Sequence, residues 1–445
     1  MVKCDVAVVG SGPGGHAAAI RLARYGLSVV MIEEREVGGL CVNRGCVPTK
    51  AVALATSLLR KIKKAPEFGI VTDGVRVNLD WLARMRDLTV ERVRSSLTLC
   101  LDSLGIRLLK GHASLTGPNE VAVDGKQVIA KDVVIASGSK ASMPSIRGLA
   151  ETAITSDDLM GPISIPGRLV IVGGGVVGIE WASVFSGLGS RVDVVEMEAQ
   201  IIPGLDREIA GYLVDALQRN GVTVHLSTRV EEVSHGRAIT TAGPIDFDRI
   251  LVATGRIPDT SLGDALGISS PNGIIVDERM QTRIPHVWAV GDCVGAPMLA
   301  HVAMAEAEVA STSIMGGDAR MSYDCIPSCV FSYPEVAWVG LSEDAAIDEG
   351  IPISVGRCSF AASGKAVALG EAEGLVKVIA DERDRRVLGV HIMGHGATEL
   401  ISEAACCIGM GVDAVAWGRV VHAHPTLSEV LIEAVRAAVG KALYV

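Results

Sequence analysis

Two cysteines five residues apart, Cys41 and Cys46, stand in the segment Gly38-Gly-Leu-Cys41-Val-Asn-Arg-Gly-Cys46-Val-Pro-Thr-Lys50. Closely spaced cysteines do redox or metal chemistry when the chain lets their sulfurs meet. In an ideal helix the two would be separated along the axis by about 7.5 Å, beyond the span of a disulfide, so the backbone must bend between them. Gly45 permits the bend, and Gly38, Gly39 and Pro48 do not suit a regular core helix. A redox-active disulfide is therefore expected. Two buried free thiols are the plainer alternative. Zinc is weaker, because the segment holds no histidine and one cysteine pair, and no metal is assigned. A second group is His424, in His422-Ala-His424-Pro-Thr-Leu-Ser-Glu429. A base with an acid to orient it can move a proton on or off a thiol, whereas His422 reads as structural.

The elements that must hold these groups read as strand, glycine-rich turn, helix, strand, twice over. Asp5 to Gly10 leads into Ser11-Gly12-Pro13-Gly14-Gly15, an alanine-rich helix and a strand ending at Glu33. Arg168 to Gly173 leads into Gly174-Gly175-Val-Val-Gly178, a helix and a strand ending at Glu196. A constant offset of 163 maps Gly10, Gly12, Gly15, Gly26 and Glu33 onto Gly173, Gly175, Gly178, Gly189 and Glu196. One such turn is weak evidence, but two in register, each between strands, are strong. A pyrophosphate has to lie against N–H groups at a helix N-terminus, where glycine gives the closest approach, and the acid then accepts from a ribose hydroxyl. Two nucleotides are expected. A nicotinamide passes hydride and a disulfide accepts electrons through thiolate attack, so a flavin is needed between them. The first unit should hold FAD and the second NAD. Glu196 repels a 2′-phosphate, and Met197 to Ile202 offers no cation to neutralise one.

Lys50 and Glu180 each fall on a helix that begins at a nucleotide site, which makes them a plausible charge pair near the flavin. Gly138, in Ala136-Ser137-Gly138, and Gly255, in Ala253-Thr254-Gly255, echo one another at the exits of the two units. Asp292 ends the buried strand Pro285 to Gly291 and could hold a second polyol. These readings divide the chain into an FAD unit at 1–146 carrying the disulfide, an NAD unit at 147–255 and a stretch at 256–321 that completes the FAD site. Residues 322–445 change texture to short strands and helices, a separate α+β domain. Of the other cysteines, Cys406 and Cys407 are expected to pack as small hydrophobes, and Cys4, Cys100, Cys293, Cys325, Cys329 and Cys358 receive no role.

Composition bounds the partners. The 445 residues carry 41 basic and 51 acidic side chains, a net charge of −10 with no basic block, which argues against nucleic acid. No run approaches the roughly 18 apolar residues of a spanning helix, and no secretion signal is evident. A cytoplasmic protein that binds no membrane, with reduced cysteines, is expected.

Taken together the motifs resemble the dihydrolipoamide dehydrogenases, within the pyridine nucleotide-disulfide oxidoreductases. Gly10 to Gly15 with Glu33, Gly39 to Lys50, Gly173 to Glu180 with Glu196, and His422 to Glu429 carry the likeness, and HAHPTLSE is its most specific part. The resemblance implies an α/β fold of two Rossmann-like domains, for FAD and NAD, plus a C-terminal dimerisation domain. It also implies a homodimer in which His424 of one subunit serves the disulfide of the other. By the same resemblance, dihydrolipoamide attacks Cys41, Cys46 becomes the thiolate facing FAD, Lys50 and Glu180 lie beside the flavin's reactive nitrogen, and Asp292 binds the ribityl chain. The lipoyl group would arrive on another protein, of a 2-oxo acid dehydrogenase or glycine cleavage complex. Two alternatives are another flavin disulfide or mercuric reductase, and a docking subunit without catalysis. A mercuric reductase would be expected to carry a cysteine pair near its C-terminus, where Lys441 to Val445 holds none, and a docking subunit is at odds with the intact Cys41, Cys46, His424 and Glu429.

Overall fold

The run Val6-Ala-Val-Val9 is apolar without alternation, the pattern of a parallel strand covered on both faces. A computed structural model describes residues 1–444, and these four are buried in β1 (Val2–Val9). The chain turns into α1 (Pro13–Arg24), with proline in the first turn where its missing N–H costs nothing, and returns as β2 (Val29–Glu33), parallel to β1. A helical excursion follows: α2 (Gly39–Asn43), α3 (Cys46–Lys64) and α4 (Leu79–Ser103), the last capped by the Asn78 side chain. The chain then re-enters the sheet as β3 (Arg107–Lys110), β4 (Ala113–Gly117), β5 (Glu120–Val123) and β6 (Lys126–Ile135), giving the order β3-β2-β1-β6-β5-β4. The last three residues of β6 also pair with Val287–Ala289, so the chain comes back to this sheet after building a second unit.

That second unit is a parallel sheet in the order Val222–His225, Arg191–Val195, Arg168–Val172, Arg249–Val252, Ile154–Thr155, with a three-stranded antiparallel meander beside it. Helix α5 (Val176–Leu188) follows its glycine turn; most of α5 is buried, as suits an apolar helix wedged between units. The exits of the two units meet: Ser139–Ala141 pairs antiparallel with Arg256–Pro258.

The C-terminal part is a five-stranded antiparallel sheet, Ser328–Val330, Val336–Gly340, Val387–Met393, Leu375–Asp381 and Ile353–Ser359 in that order. Helices Ala397–Gly409 and Ser428–Ala437 cover it with Ile401, Leu431 and Val435. Its junction with the second unit is charged. The buried Lys377 ammonium lies 2.8 Å from Asp206, 3.0 Å from Glu208 and 2.6 Å from Glu343, while Arg357 pairs with Glu208 and Glu343. Cys407 packs against the C-terminal core, but Cys406 is exposed, contrary to expectation, because its position on helix Ala397–Gly409 faces away from the sheet. Among the described residues no helix is long and apolar enough to cross a membrane.

Candidate active site

The chain bends between the two cysteines by ending one helix and starting another. α2 stops at Asn43, Gly45 takes φ −121° and ψ −105°, and Cys46 opens α3. The Asn43 side chain ties the loop by donating to the carbonyls of Val37 and Gly39 at 3.0 and 2.8 Å. Both thiols are free in the structure, Cys41 half-buried and Cys46 exposed. Their environments differ. A hydrogen bond with Cys41, helped by the Lys50 ammonium, brings the Cys46 thiol down from 9.0 to about 7 against the opposing effect of desolvation. The same pairing and burial push Cys41 up. Cys46 also stands at the positive end of a 19-residue helix, which favours a thiolate further. One of the two sulfurs is therefore poised as an anion and the other as a thiol.

Lys50, one turn into α3, reaches Glu180 on α5: its Nζ lies 2.9 Å from both carboxylate oxygens. These residues are 130 positions apart, and the packing of α3 on α5 brings them together. Phe331 was given no role by sequence reasoning, yet it contacts both. Its ring lies 4.5 Å beneath the ammonium and its N–H donates to Glu180 Oε1 at 3.1 Å.

The two glycine turns are built alike. Glu33 accepts from the N–H and hydroxyl of Ser11 at 2.9 and 2.6 Å, and Glu196 accepts from Gly174 N–H at 2.6 Å, one repeat later. Each carboxylate keeps lone pairs for a ribose. A Cβ on Gly15 would sit 2.0 Å from the Gly10 carbonyl oxygen, and one on Gly178 would sit 2.0 Å from that of Gly173, so helix and strand meet there without side chains. Gly12 and Gly175, by contrast, face open space in front of α1 and α5, the room a pyrophosphate needs against helix N–H groups. Gly138 and Gly255, at φ +79° and +95°, also border open space.

Asp292 accepts from Ser139 Oγ at 2.5 Å, and the Arg256 Nε donates to the same hydroxyl at 2.7 Å, linking the exits of both units to this acid. Behind it lies Glu306, which no local pattern singled out. It is almost fully buried and accepts from Gly291 N–H at 2.6 Å and from Tyr323 Oη at 2.8 Å. Burial, reinforced by the Asp292 charge and only partly offset by those two hydrogen bonds, pushes its carboxyl from 4.5 to about 7.

His424 Nδ1 donates to Glu429 Oε1 at 2.9 Å, while Thr426 N–H donates to the other carboxylate oxygen at 2.9 Å. The Thr426 amide and then His424 hold the Glu429 carboxyl below its usual range. That pairing leaves Nε2 of His424 free to exchange a proton. The His424 side chain is 80% exposed, and its one side-chain partner among the described residues is Glu429, so this dyad is not brought to the cysteines of its own chain. His422 is instead tied down, 2.8 Å from Glu403.

Residues 4–307 match the pyridine nucleotide-disulphide oxidoreductase family and residues 326–435 match its dimerisation domain. The chain is 38% identical to dihydrolipoyl dehydrogenase 3 of Haloarcula marismortui, over 99% of this chain and 97% of that one. It is 37% identical to the mitochondrial dihydrolipoyl dehydrogenase of Homo sapiens, over 99% and 92% of the two chains, and 35% identical to the Bacillus subtilis dihydrolipoyl dehydrogenase, over 99% of each. A solved Cu(II) complex of the HOCl-induced flavoprotein disulfide reductase RclA from Escherichia coli superimposes with a TM-score of 0.87 at 26% identity, covering 96% of this chain and 98% of that one. With these matches over residues 4–307 and 326–435, and with curated relatives similar over nearly the whole length, the chain belongs to the pyridine nucleotide-disulphide oxidoreductases.

Proposed function

We infer that the chain works as a dihydrolipoyl dehydrogenase, oxidising a protein-borne dihydrolipoyl group and reducing NAD⁺ with FAD between them. The observation that carries this reading is the pairing of a poised Cys46 thiol with an exposed, carboxylate-oriented His424 in a chain that has a dimerisation domain. The homodimer follows from that domain. We place His424 of one protomer at the cysteine pair of its partner, since the ring is exposed and, among the described residues, its side chain hydrogen-bonds Glu429 and no sulfur.

His424 Nε2 takes the proton of a substrate thiol, and Glu429 stabilises the imidazolium that forms. The substrate thiolate attacks Cys41 Sγ of the oxidised pair, the Cys41–Cys46 bond breaks, and Cys46 leaves as a thiolate, the form its surroundings favour. The second substrate thiol, deprotonated in turn, displaces Cys41 and closes the cyclic disulfide. Two electrons then rest on Cys41 and Cys46. When bound, FAD supplies the two-electron transfer from this dithiol to NAD⁺. Gly10, Gly12, Gly15, Glu33, Gly138 and Asp292 would hold FAD, with Lys50 and Glu180 beside it. Gly173, Gly175, Gly178, Glu196 and Gly255 would hold NAD. The return of Val287–Ala289 to β6 supports assigning 256–321 to the FAD site, between an NAD unit at 147–255 and an interface domain from 322. The lipoyl carrier is a subunit of a 2-oxo acid dehydrogenase or glycine cleavage complex, and the cytoplasm is the proposed compartment.

The test is NAD⁺ reduction by dihydrolipoamide with the flavin-loaded protein beside Cys46→Ser. Rapid NADH formation, abolished in the variant, is expected. An inactive but flavin-loaded wild-type dimer would refute the substrate and turn attention to other disulfides and to metal ions.

A further inference from the structure

The segment Phe331 to Tyr333 belongs to the dimerisation domain, yet it is laid across the two helices that carry Lys50 and Glu180. Its contacts come in two matching rungs. In the first, the Phe331 ring lies under Lys50 and the Phe331 N–H donates to Glu180. In the second, the Tyr333 ring lies 4.5 Å from the Arg60 guanidinium, its hydroxyl accepts from Lys64 at 2.8 Å, and its N–H donates to Ser183 Oγ at 2.9 Å. Phe331 and Tyr333 flank Ser332 where the chain bends just after strand Ser328–Val330, and residues 180 and 183 lie about one helical turn apart, so the two sets of contacts match. Each rung takes a cation from α3 on an aromatic face and an acceptor from α5 on a backbone N–H. Arg60 closes the arrangement by donating to the Ser183 carbonyl at 2.7 Å.

We propose that Phe331 is a positioning residue for the redox site: its ring fixes the Lys50 ammonium and its N–H fixes Glu180, so that the charge pair facing Cys46 is set by the dimerisation domain. The proposal rests on the reading that Cys46 and this pair adjoin the flavin. The upper rung orients chemistry, and the lower rung, at Tyr333, fixes the spacing of the helices. Without the ring, Lys50 has one anchor, Glu180, and can swing away from Cys46. Its field at that sulfur then weakens, which favours the thiol over the thiolate. The anionic form of Cys46 is the donor in any long-wavelength charge-transfer absorbance with oxidised flavin, so that band reports the position of Lys50 without reference to turnover.

The experiment reduces the flavin-loaded dimer by two electrons and follows the charge-transfer band against pH in wild type, Phe331→Leu and Phe331→Tyr. Leucine removes the aromatic face and should raise the midpoint of the band by about half a pH unit or more, the scale of a partly buried cation–π contact. Tyrosine restores the ring and should return the midpoint to the wild-type value. An unchanged midpoint in Phe331→Leu, or an equal shift in Phe331→Tyr, overturns the positioning role while leaving the flavin assignment intact. A flavin-loaded wild type that shows no thiolate band at any pH overturns the assignment of Cys46 to the flavin and the proposal with it.

Discussion

Replacing Lys377 by methionine keeps the length of the side chain and deletes its charge at the junction of the second nucleotide unit and the C-terminal sheet. Lys377 and Asp206 are both nearly inaccessible, whereas Glu208 and Glu343 are partly open to water and keep Arg357 as a cation. The loss therefore falls on Asp206. That carboxylate retains N–H donors from Glu208 and Glu343 at 3.0 and 3.2 Å, which places the cost at the lower end of the range for breaking a buried pair, about 3 kcal/mol. With an unfolding entropy of about 2.1 cal/mol/K per residue, the 445-residue chain has about 0.9 kcal/mol/K, so the melting temperature should fall by about 3 °C. The sign with pH is also fixed. Burial raises the Asp206 carboxyl but Lys377 outweighs it and holds it below its ordinary value, so this stabilisation is present above the unfolded pKa and is lost as the solution becomes more acid. The gap between wild type and variant should persist down to pH 3.8 and close only as the pH falls below it, through the lowered folded pKa of Asp206. Adding Asp206→Asn, which keeps a helix-capping side chain, should recover part of the loss. Scanning calorimetry of the flavin-loaded protein measures all of this. A melting temperature of Lys377→Met within about 1 °C of wild type at neutral pH, or a double variant no more stable than the single one, would refute the reasoning.

Two further outcomes follow from the geometry. Glu306 has a raised folded pKa, so the native state holds its proton between 4.5 and about 7 and loses that relative stability as pH rises through this window, by about 3 kcal/mol. Glu306→Gln should remove that slope, and its melting temperature relative to wild type should climb between pH 5 and 8; a difference constant across that range counts against the raised pKa. Glu429→Gln keeps a group of the same shape beside His424 without the charge that stabilises the imidazolium, and should lower kcat for dihydrolipoamide oxidation by roughly 10²-fold or more. Wild-type rates in that variant would remove His424 as the base.

Local spacing exposes those parts of the site that are built from neighbours in the chain. The five-residue interval with Gly45 forces a bend, and the bend exists as a break between two helices. The offset of 163 extends beyond the quoted glycines, since Ser11 and Gly174, also 163 apart, both donate a backbone N–H to the acid that ends the next strand. Groups that act through tertiary contact leave weaker traces. Phe331 looks like any core aromatic, because its partners stand about 280 and 150 positions away and no pattern in its own segment names them. Lys377 did leave a signal, since a lysine inside Leu-Val-Lys-Val-Ile-Ala380 breaks an apolar run and has to find a partner, whereas Glu306 shares Ala300 to Ala310 with the exposed Glu308 and the sequence does not tell the two apart.

The two cradles differ chiefly in what the chain does after the acid. Beyond Glu196 it makes a short connection to helix Arg207–Arg219, while beyond Glu33 it detours through three helices before rejoining its sheet at β3. The detour begins with the cysteines. The same strand, turn and helix frame thus leads into two different segments after its acid, while the glycine turn in front of each acid is built alike. Such an architecture separates the turn from the reactive groups: the segment after the acid can change its chemistry without disturbing the hydrogen bonds that shape the turn before it.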